Sequence, residues 1–249
     1  METLSLPWLE PGTPLPPPES ALGADSPWPG LLAGSESLNA DMLLAAYAQG
    51  IFPWSGPEDP VLWWSTDPRM VLMPAHFRLH VSLRKTLRTF ARRHDAGIRI
   101  DTAFDAVVQQ CAAPRNGQEG TWITPAIMRS YGELHRRGLA HSVETWVNGQ
   151  LVGGLYVVAL GHAIFGESMF SRQTDASKIA LAALVCLCLA HDVELIDCQQ
   201  QTAHLASLGA HPVARADFLT SIQRGQQRPA MRWQFEPALW NELLPSQAR

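Results

Sequence analysis

The pattern of apolar and polar positions switches between helical and strand spacing along the chain. Apolar residues at helical spacing predict helices over residues 40–49, 82–94 and 101–112, and another that starts after Thr124 and stops at Gly138. Strand alternation follows at residues 141–147, 150–159 and 163–170, with Asn148-Gly149 as a hairpin signal. Residues 179–190 are apolar on every side, which indicates a covered helix capped by Asp175, and residues 193–199 predict a further strand.

The order of these elements indicates the fold class. A helix, a three-stranded meander, a buried helix, a strand and a helix follow one another as in an acetyltransferase-like (GNAT-type) core. We therefore predict an α+β protein, with a small N-terminal α/β domain at residues 31–74 and a GNAT-like mixed-sheet domain at residues 75–249. Residues 1–30 are rich in proline and lack an apolar period, so they are interpreted as a flexible arm.

Composition narrows the class of protein. The chain has 249 residues, of which 46% are hydrophobic and 17% charged, enough for one large or two small domains. No segment approaches 18 uninterrupted apolar residues, and the acidic, proline-rich start does not resemble a signal peptide, so a cytoplasmic protein without membrane contact is expected. The four cysteines are expected to be buried free thiols, and His141 and Glu144 should face opposite ways along a strand, so no metal site is predicted.

Positive charge is concentrated in one region of an acidic chain. Residues 76–99 carry a balance of +6, which leaves −10 for the rest of the protein. The helix over residues 82–94 has an apolar side and a basic side, and the basic residues are Arg84, Lys85, Arg88, Arg92 and Arg93. This basic face is either a solvated surface or a binding site for nucleic-acid phosphates, and the absence of acidic neighbours favours phosphate binding.

Polar side chains interrupt two apolar strands. Strand alternation places Phe165, Glu167 and Met169 on one face. It also points Asp197 and Gln199 in one direction and Cys198 in the other. A carboxylate and an amide can thus act on one ligand atom, whereas a nucleophilic role for Cys198 is disfavoured.

Tryptophan residues are concentrated just before the predicted second domain. Residues 51–64 are interpreted as a rigid aromatic loop in which Trp63 and Trp64 belong to the core. Trp54 lies at the edge of the turn over residues 55–60, and Trp122 lies just before a helix start. Both positions suit stacking on a nucleobase, which contributes about 1–3 kcal/mol per base.

Six short blocks together resemble one family. They are Tyr47-Ala48-Gln49-Gly50-Ile51-Phe52-Pro53-Trp54, Trp63-Trp64-Ser65 with Asp67-Pro68-Arg69, Gly120-Thr121-Trp122-Ile123-Thr124, Gly166-Glu167-Ser168-Met169-Phe170-Ser171, Ala176-Ser177-Lys178 and Leu195-Ile196-Asp197-Cys198-Gln199. In this order, the blocks resemble those of the leucyl/phenylalanyl-tRNA–protein transferase family. The sequence departs from the family at Gly34-Ser35-Glu36, where a Gly-Gly-Asp turn is usual.

The resemblance implies an enzyme that moves Leu or Phe from aminoacyl-tRNA to the N-terminal Arg or Lys of an acceptor protein, marking it for N-degron degradation. Weak acceptance of Met is expected from the shape of the predicted side-chain pocket. The resemblance also implies that Asp197 and Gln199 are the catalytic pair. No cofactor or metal is expected, since an aminoacyl ester is already activated, and a monomer is expected. Asp197 is interpreted as an electrostatic partner or base; the alternative is that it only pairs with donors of a neighbouring strand.

The substrate-binding residues predicted from position are Trp54 and Trp122, which would bracket the terminal adenosine, and Leu155 and Met169, which would line a side-chain pocket. Glu167 would bind the aminoacyl or adenosine end, or would make only a structural hydrogen bond.

Two other functions fit parts of the pattern. The first is a GNAT-type acyl-CoA transferase, but the loop at residues 171–176 lacks the glycines that bring backbone amides to a pyrophosphate, and it contains Asp175. The second is a non-catalytic module that binds tRNA or peptide. Such a module accounts for the basic face but leaves Asp197 and Gln199 without a role.

Overall fold

The computed structural model describes residues 6–10, 12–56, 59–113 and 121–245. Gly120 of the third family block and part of the turn over residues 55–60 lie outside these ranges. The strands are β1 Trp8–Leu9, β2 Leu31–Ser35, β3 Phe52–Pro53, β4 Val61–Trp64, β5 Arg69–Leu72, β6 Ala96–Ile100, β7 Ala140–Val147, β8 Gln150–Leu160, β9 Ala163–Ser171, β10 Ile196–Gln199 and β11 His211–Val213. The α-helices are α1 Ala40–Ala48, α2 Val81–Phe90, α3 Phe104–Cys111, α4 Pro125–Arg136, α5 Ala176–Ala190, α6 Ala203–Ser207 and α7 Arg215–Gln226.

A seven-stranded mixed sheet dominates the molecule, in the order β11-β5-β10-β9-β8-β7-β6. Strands β7, β8 and β9 form an antiparallel meander, and α5 then returns the chain so that β10 pairs parallel with β9. This order confirms the predicted α+β class. A parallel pair needs a crossover connection, and α5 provides it. The buried residues of α5 include an unbroken run from Ile179 to Cys188, so the predicted burial on every side is confirmed.

Local signals in the sequence correspond to the observed turns and caps. Asn148 and Gly149 adopt φ of 50° and 70°, as a two-residue hairpin with a type I′ turn requires. The side chains of Asn39 and Thr124 cap α1 and α4 by accepting from the amides of Met42 and Ile127. The predicted cap at Asp175 is wrong, because its backbone is left-handed (φ 61°) and its carboxylate accepts a hydrogen bond from Lys178 at 2.8 Å instead.

The small sheet has the order β1-β2-β4-β3 and is formed by strands of the N-terminal region. Residues 6–10 and 12–30 are not a loose arm as expected. Strand β1 pairs with β2, Leu9 is buried, and the ring of Trp8 covers Gly34 so closely that a Cβ there would meet it at 2.7 Å. The apolar residues of this segment are irregularly spaced, so they show no period, yet they pack on the core.

Strand β5 belongs to the large sheet, although the sequence analysis assigns it to the N-terminal domain. It pairs antiparallel with both β10 and β11. This position brings residues of β5 beside Asp197 of β10, directly behind the candidate site.

The two faces of the large sheet have separate apolar cores. One core includes Tyr156, Val158 and Phe165 and contacts α1, α3, α4 and the small sheet. The other includes Leu155, Val157 and Ile164 and contacts α2 and α5.

No helix within the described ranges has the length and apolarity needed to span a bilayer. Cys186 and Cys188 are buried free thiols, Cys198 is a half-buried one, and Cys111 is buried. Burial raises the pKa of Cys186 to about 12 and that of Cys188 further.

Candidate active site

A cavity of about 360 Å³ opens where β8, β9 and β10 meet α5 and α6. We call it the central cavity. Its lining includes Trp54, Trp122, Leu155, Glu167, Met169, Asp197 and Gln199, which are all of the residues that the sequence analysis assigns to catalysis and substrate binding. These residues come from five segments of the chain, and the fold brings them to one place.

A bulge in β9 determines which way the cavity residues face. Tyr156 of β8 pairs with Ser168 and Val157 pairs with Gly166, so Glu167 is an extra residue without a partner across the ladder. The expectation that Phe165, Glu167 and Met169 share one face is therefore wrong, because the bulge interrupts strand alternation. Phe165 lies in the core with Tyr156, whereas Met169 packs on the α5 side.

The apolar wall of the cavity is formed on the α5 side of the sheet. Met169 pairs directly with Leu155 across the strands, and both residues line the cavity. Leu181 and Leu184, one turn apart on α5, and Ile196 of β10 complete this wall. The sequence analysis missed the two leucines because an all-apolar helix does not show which of its faces meets a ligand.

The two cavity tryptophans have different supports. Trp54 is 43% exposed, and the ring of Trp64 contacts it edge-on at a centroid distance of 5.8 Å. The indole nitrogen of Trp64 also donates to the carbonyl of Trp54 at 2.7 Å. Trp63 and Trp64 are buried, as predicted for core residues, and Trp64 additionally fixes Trp54 at the cavity mouth. Trp122 is half-buried and lies two residues before the cap of α4.

Glu167 is held by hydroxyl and amide donors. The Tyr131 hydroxyl donates to Oε2 at 2.9 Å and lies 2.6 Å from the Tyr47 hydroxyl, while Gln199 Nε2 donates to Oε1 at 3.1 Å. Burial raises the pKa of Glu167 to about 7, although the hydrogen bonds from the tyrosines oppose this shift. Burial also holds the pKa of both tyrosines well above 10, so both hydroxyls keep their protons.

Asp197 is fully buried and faces an arginine that the sequence analysis did not assign to the site. Arg69 donates from Nε and Nη2 to the two carboxylate oxygens at 2.7 and 2.6 Å. The guanidinium lies between the rings of Phe52 and Phe218, at 4.4 and 4.6 Å from their centroids. Asp197 thus has its charge matched, and its two oxygens are occupied by protein donors rather than directed at a ligand.

Gln199 is fixed to Asp197 through the backbone. Its amide donates to Asp197 Oδ1 at 2.9 Å, and its φ of 60° accompanies an irregular register between β10 and β5. The side-chain nitrogen is used by Glu167, which leaves the side-chain oxygen as an acceptor. Cys198 packs on the α5-side core and also lines the central cavity, and burial raises the pKa of its thiol strongly.

The basic face is only partly as the sequence predicts. Arg84, Lys85 and Arg88 are exposed on α2, and Arg92 is exposed just after the helix, which ends at Phe90. Within the described ranges, none of these four residues forms an ion pair with a carboxylate. Arg93 differs, because it holds Asp95 with two hydrogen bonds at 2.9 and 2.7 Å. The expectation of no acidic partner is wrong for Arg93.

Comparisons with known protein sequences place almost the whole chain in one family. Residues 71–223 match the sequence model of leucyl/phenylalanyl-tRNA protein transferase, and residues 36–67 match that of its N-terminal domain. The chain is 54% identical over 243 residues to a leucyl/phenylalanyl-tRNA–protein transferase of Polaromonas sp., covering 97% of this chain and 95% of the relative. It is 58% identical over 234 residues to the protein of that name from Cupriavidus taiwanensis, covering 93% and 94%.

A solved GCN5-related N-acetyltransferase from Kribbella flavida aligns with 69% of this chain and 60% of its own, at 10% identity and a TM-score of 0.35, too low to support a conclusion. The sequence matches identify a transferase enzyme. The chain belongs to the leucyl/phenylalanyl-tRNA–protein transferase family.

Proposed function

We propose that this chain transfers Leu or Phe, and Met weakly, from aminoacyl-tRNA to the N-terminal Arg or Lys of an acceptor protein, marking it for N-degron degradation. The observation that carries the proposal is the central cavity. It combines exposed indole at its mouth, an apolar wall and a carboxylate hydrogen-bonded to an amide. Family membership supports the same activity.

The chemistry requires little beyond orientation. An aminoacyl-tRNA is an activated ester, and holding an amine against its carbonyl can contribute about 7–11 kcal/mol. The side-chain oxygen of Gln199 is the acceptor that aims this amine, since the nitrogen of the same amide is held by Glu167. Asp197 acts through Gln199, as an electrostatic partner whose own position is set by Arg69.

The donor is held at three places. Trp54 and Trp122 stack on the terminal adenosine, and the wall formed by Leu155 and Met169 receives the amino-acid side chain. Unbranched methionine adapts to ligands of different shape, which supports acceptance of both Leu and Phe. The basic face, above all Arg84, Lys85, Arg88 and Arg92, contacts phosphates of the acceptor arm, while Arg93 contributes less because Asp95 neutralises it.

Binding of acyl-CoA is disfavoured by the segment that follows β9. Asp175 lies at the start of α5, where the phosphates of CoA would approach the helix, and its carboxylate is held by Lys178. We expect the enzyme to act as a cytoplasmic monomer.

The test is direct transfer in a purified system. The protein is incubated with labelled Leu-tRNA and a peptide beginning with Arg, without CoA, and formation of Leu-Arg peptide is expected. The matched control is the same peptide with an acetylated N-terminus, which has no free amine to attack. If the label stays on tRNA although the protein binds that tRNA, the chain is a binding module and the proposal fails.

A further inference from the structure

The central cavity contains two carboxylates with very different surroundings. Among the described residues that line it, Asp197 and Glu167 are the two acids. Asp197 is fully buried against the guanidinium of Arg69, which donates a hydrogen bond to each of its oxygens. Glu167, by contrast, accepts its hydrogen bonds from the neutral groups of Tyr131 and Gln199, and no described residue forms an ion pair with it. A carboxylate that is paired with an arginine is a poor proton acceptor, whereas one that is bound by neutral donors can gain and lose a proton.

Glu167 is also beside the group that aims the amine. Gln199 Nε2 donates to Glu167 Oε1 at 3.1 Å, so the two side chains lie edge to edge. A nitrogen that donates to the oxygen of the same Gln199 amide is then within reach of Glu167, directly or through one water molecule. That reach is the range over which a general base works.

We propose that Glu167, rather than Asp197, accepts the proton that the acceptor's N-terminal ammonium must lose before it attacks the aminoacyl ester. The inference rests on the proposed function and concerns the same site. It makes Glu167 a catalytic residue, Gln199 the residue that aims the nucleophile, and Asp197 with Arg69 the positioning pair.

The proton balance is complete without a further reactant. The ammonium gives one proton to the Glu167 carboxylate and becomes a neutral amine. Its nitrogen forms a bond to the ester carbonyl carbon, and the bond from that carbon to the ribose oxygen breaks. The second proton lost by the nitrogen goes to the departing ribose oxygen, so free tRNA leaves with a hydroxyl group. Neutral Glu167 then releases its proton to solvent.

The surroundings of Glu167 suit a group that titrates near neutral pH. Its pKa of about 7 results first from burial. The titratable groups that act on it are the hydroxyls of Tyr47, Tyr131 and Tyr156 and the Asp197 carboxylate, which is itself paired with Arg69. Both tyrosines that take part in its hydrogen bonds remain protonated, so they stabilise the carboxylate without exchanging their own protons. Exposed His204 also lines the cavity and is the rival base.

The first experiment measures the pH dependence of single-turnover transfer for the wild type, Glu167→Gln and Glu167→Asp. We expect the wild-type rate to rise with pH through about 7, because the carboxylate must be charged. Glu167→Gln should lose at least about 100-fold in rate, with the remaining rise moved to the pKa of the amine, near about 8. Glu167→Asp should recover part of the rate and should keep the rise of the rate at the lower pH, because a carboxylate is still present. The proposal is overturned if the rise in rate near pH 7 is shifted by His204→Asn and is left in place by Glu167→Gln.

The second experiment separates proton removal from binding. An acceptor peptide that begins with the α-hydrazino analogue of Arg has a less basic nucleophilic nitrogen, so it needs less help in losing a proton. With this acceptor, the ratio of wild-type to Glu167→Gln rates should shrink. If Glu167 only binds the acceptor, the variant will raise KM for both peptides, leave the ratio of rates at saturation unchanged, and disprove a role in proton transfer.

Controls distinguish failure of this inference from failure of the proposed function. Glu194→Gln removes another carboxylate, which pairs with Arg224 outside the central cavity, and should match the wild type throughout. No transfer by the wild type would overturn the proposed function itself. Wild-type transfer with an unaffected Glu167→Gln variant, shown by thermal unfolding to be folded, would overturn the assignment of Glu167 and leave the function intact.

Discussion

The ion pair between Arg69 and Asp197 illustrates how one buried contact carries both stability and function. Both side chains are fully buried, and the guanidinium is enclosed by two phenylalanine rings. Removing one member of such a pair leaves an uncompensated charge, which costs about 3–5 kcal/mol. The pair therefore holds Gln199 in place as long as both residues are present.

Asp197→Asn is expected to slow transfer by at least about 100-fold, because the amide of Gln199 loses its charged acceptor. Unfolding in urea should show a loss of about 3–5 kcal/mol, since Arg69 remains buried without a counter-charge. The affinity for tRNA should change little, as measured by filter binding. Arg69→Met combined with Asp197→Asn provides the control, because it removes the isolated charge. A double variant no more stable than Asp197→Asn would contradict this account.

Met169→Ala should lower the rate with Leu-tRNA more than the rate with Phe-tRNA, because the smaller donor loses contact with an enlarged pocket first. In the wild type, Ile and Val should be poor donors, since branching at Cβ crowds the wall near its backbone. The preferences should be graded, because one methylene of misfit is worth about 1–3 kcal/mol. Competition between the two charged tRNAs measures the ratio. Met42→Ala, which truncates a methionine outside the cavity, is the matched control, and an unchanged ratio in Met169→Ala would remove Met169 from the pocket.

Elements differ in how far their sequence predicts them. Asn39, Thr124 and the Asn148-Gly149 turn act on backbone groups a few residues away, so their structures follow from local sequence. The bulge at Glu167 does not, because it depends on the register that β9 adopts against β8. The same reason explains Met169, which faces α5 although simple alternation places it with Phe165.

Helix α2 provides a prediction about tRNA binding. Replacing Arg84 and Arg88 by Ala should weaken binding of Leu and Phe tRNAs alike. It should also flatten the dependence of affinity on salt, because fewer phosphate contacts mean that fewer counterions are released on binding. Thermal stability should barely change, because both side chains are exposed. Arg224→Ala, which removes an exposed arginine paired with Glu194, should leave the salt dependence as it is. If the salt dependence of the α2 variant is unaltered, this face is an ordinary solvated surface.

At the scale of the whole molecule, the cavity draws on both sheets and on loops between them. Trp54 comes from the small sheet's region, Trp122 precedes α4, and Glu167 and Gln199 belong to neighbouring strands of the large sheet. The family blocks in the sequence pointed to all of these residues. Arg69 lay in one of the blocks as well, but its partner is 128 residues away, and no local pattern predicts such a contact.

Folding stability should depend on pH through Glu167. Its pKa rises from 4.5 to about 7 on folding, so between these values the folded chain keeps a proton that the unfolded chain has lost. The contribution of this group to the free energy of unfolding therefore falls as pH rises from about 4.5 to about 7 and is constant above. Glu167→Gln should gain stability relative to the wild type across this window, as followed by urea unfolding. A constant difference would contradict the raised pKa, and Glu194→Gln should show no such trend.

During synthesis on the ribosome, Arg69 is made long before the residues that it contacts in the folded protein. Arg69 emerges early, Asp197 follows after 128 further residues, and the second ring that covers the guanidinium belongs to Phe218 in α7. A nascent chain that has emerged only as far as the end of β9 already contains Trp54, Trp122 and Glu167, but it lacks the partner for its arginine. The enclosure of the Arg69 guanidinium is therefore complete only after α7 has left the ribosome, and a chain that ends before Asp197 lacks the carboxylate that fixes the Gln199 backbone.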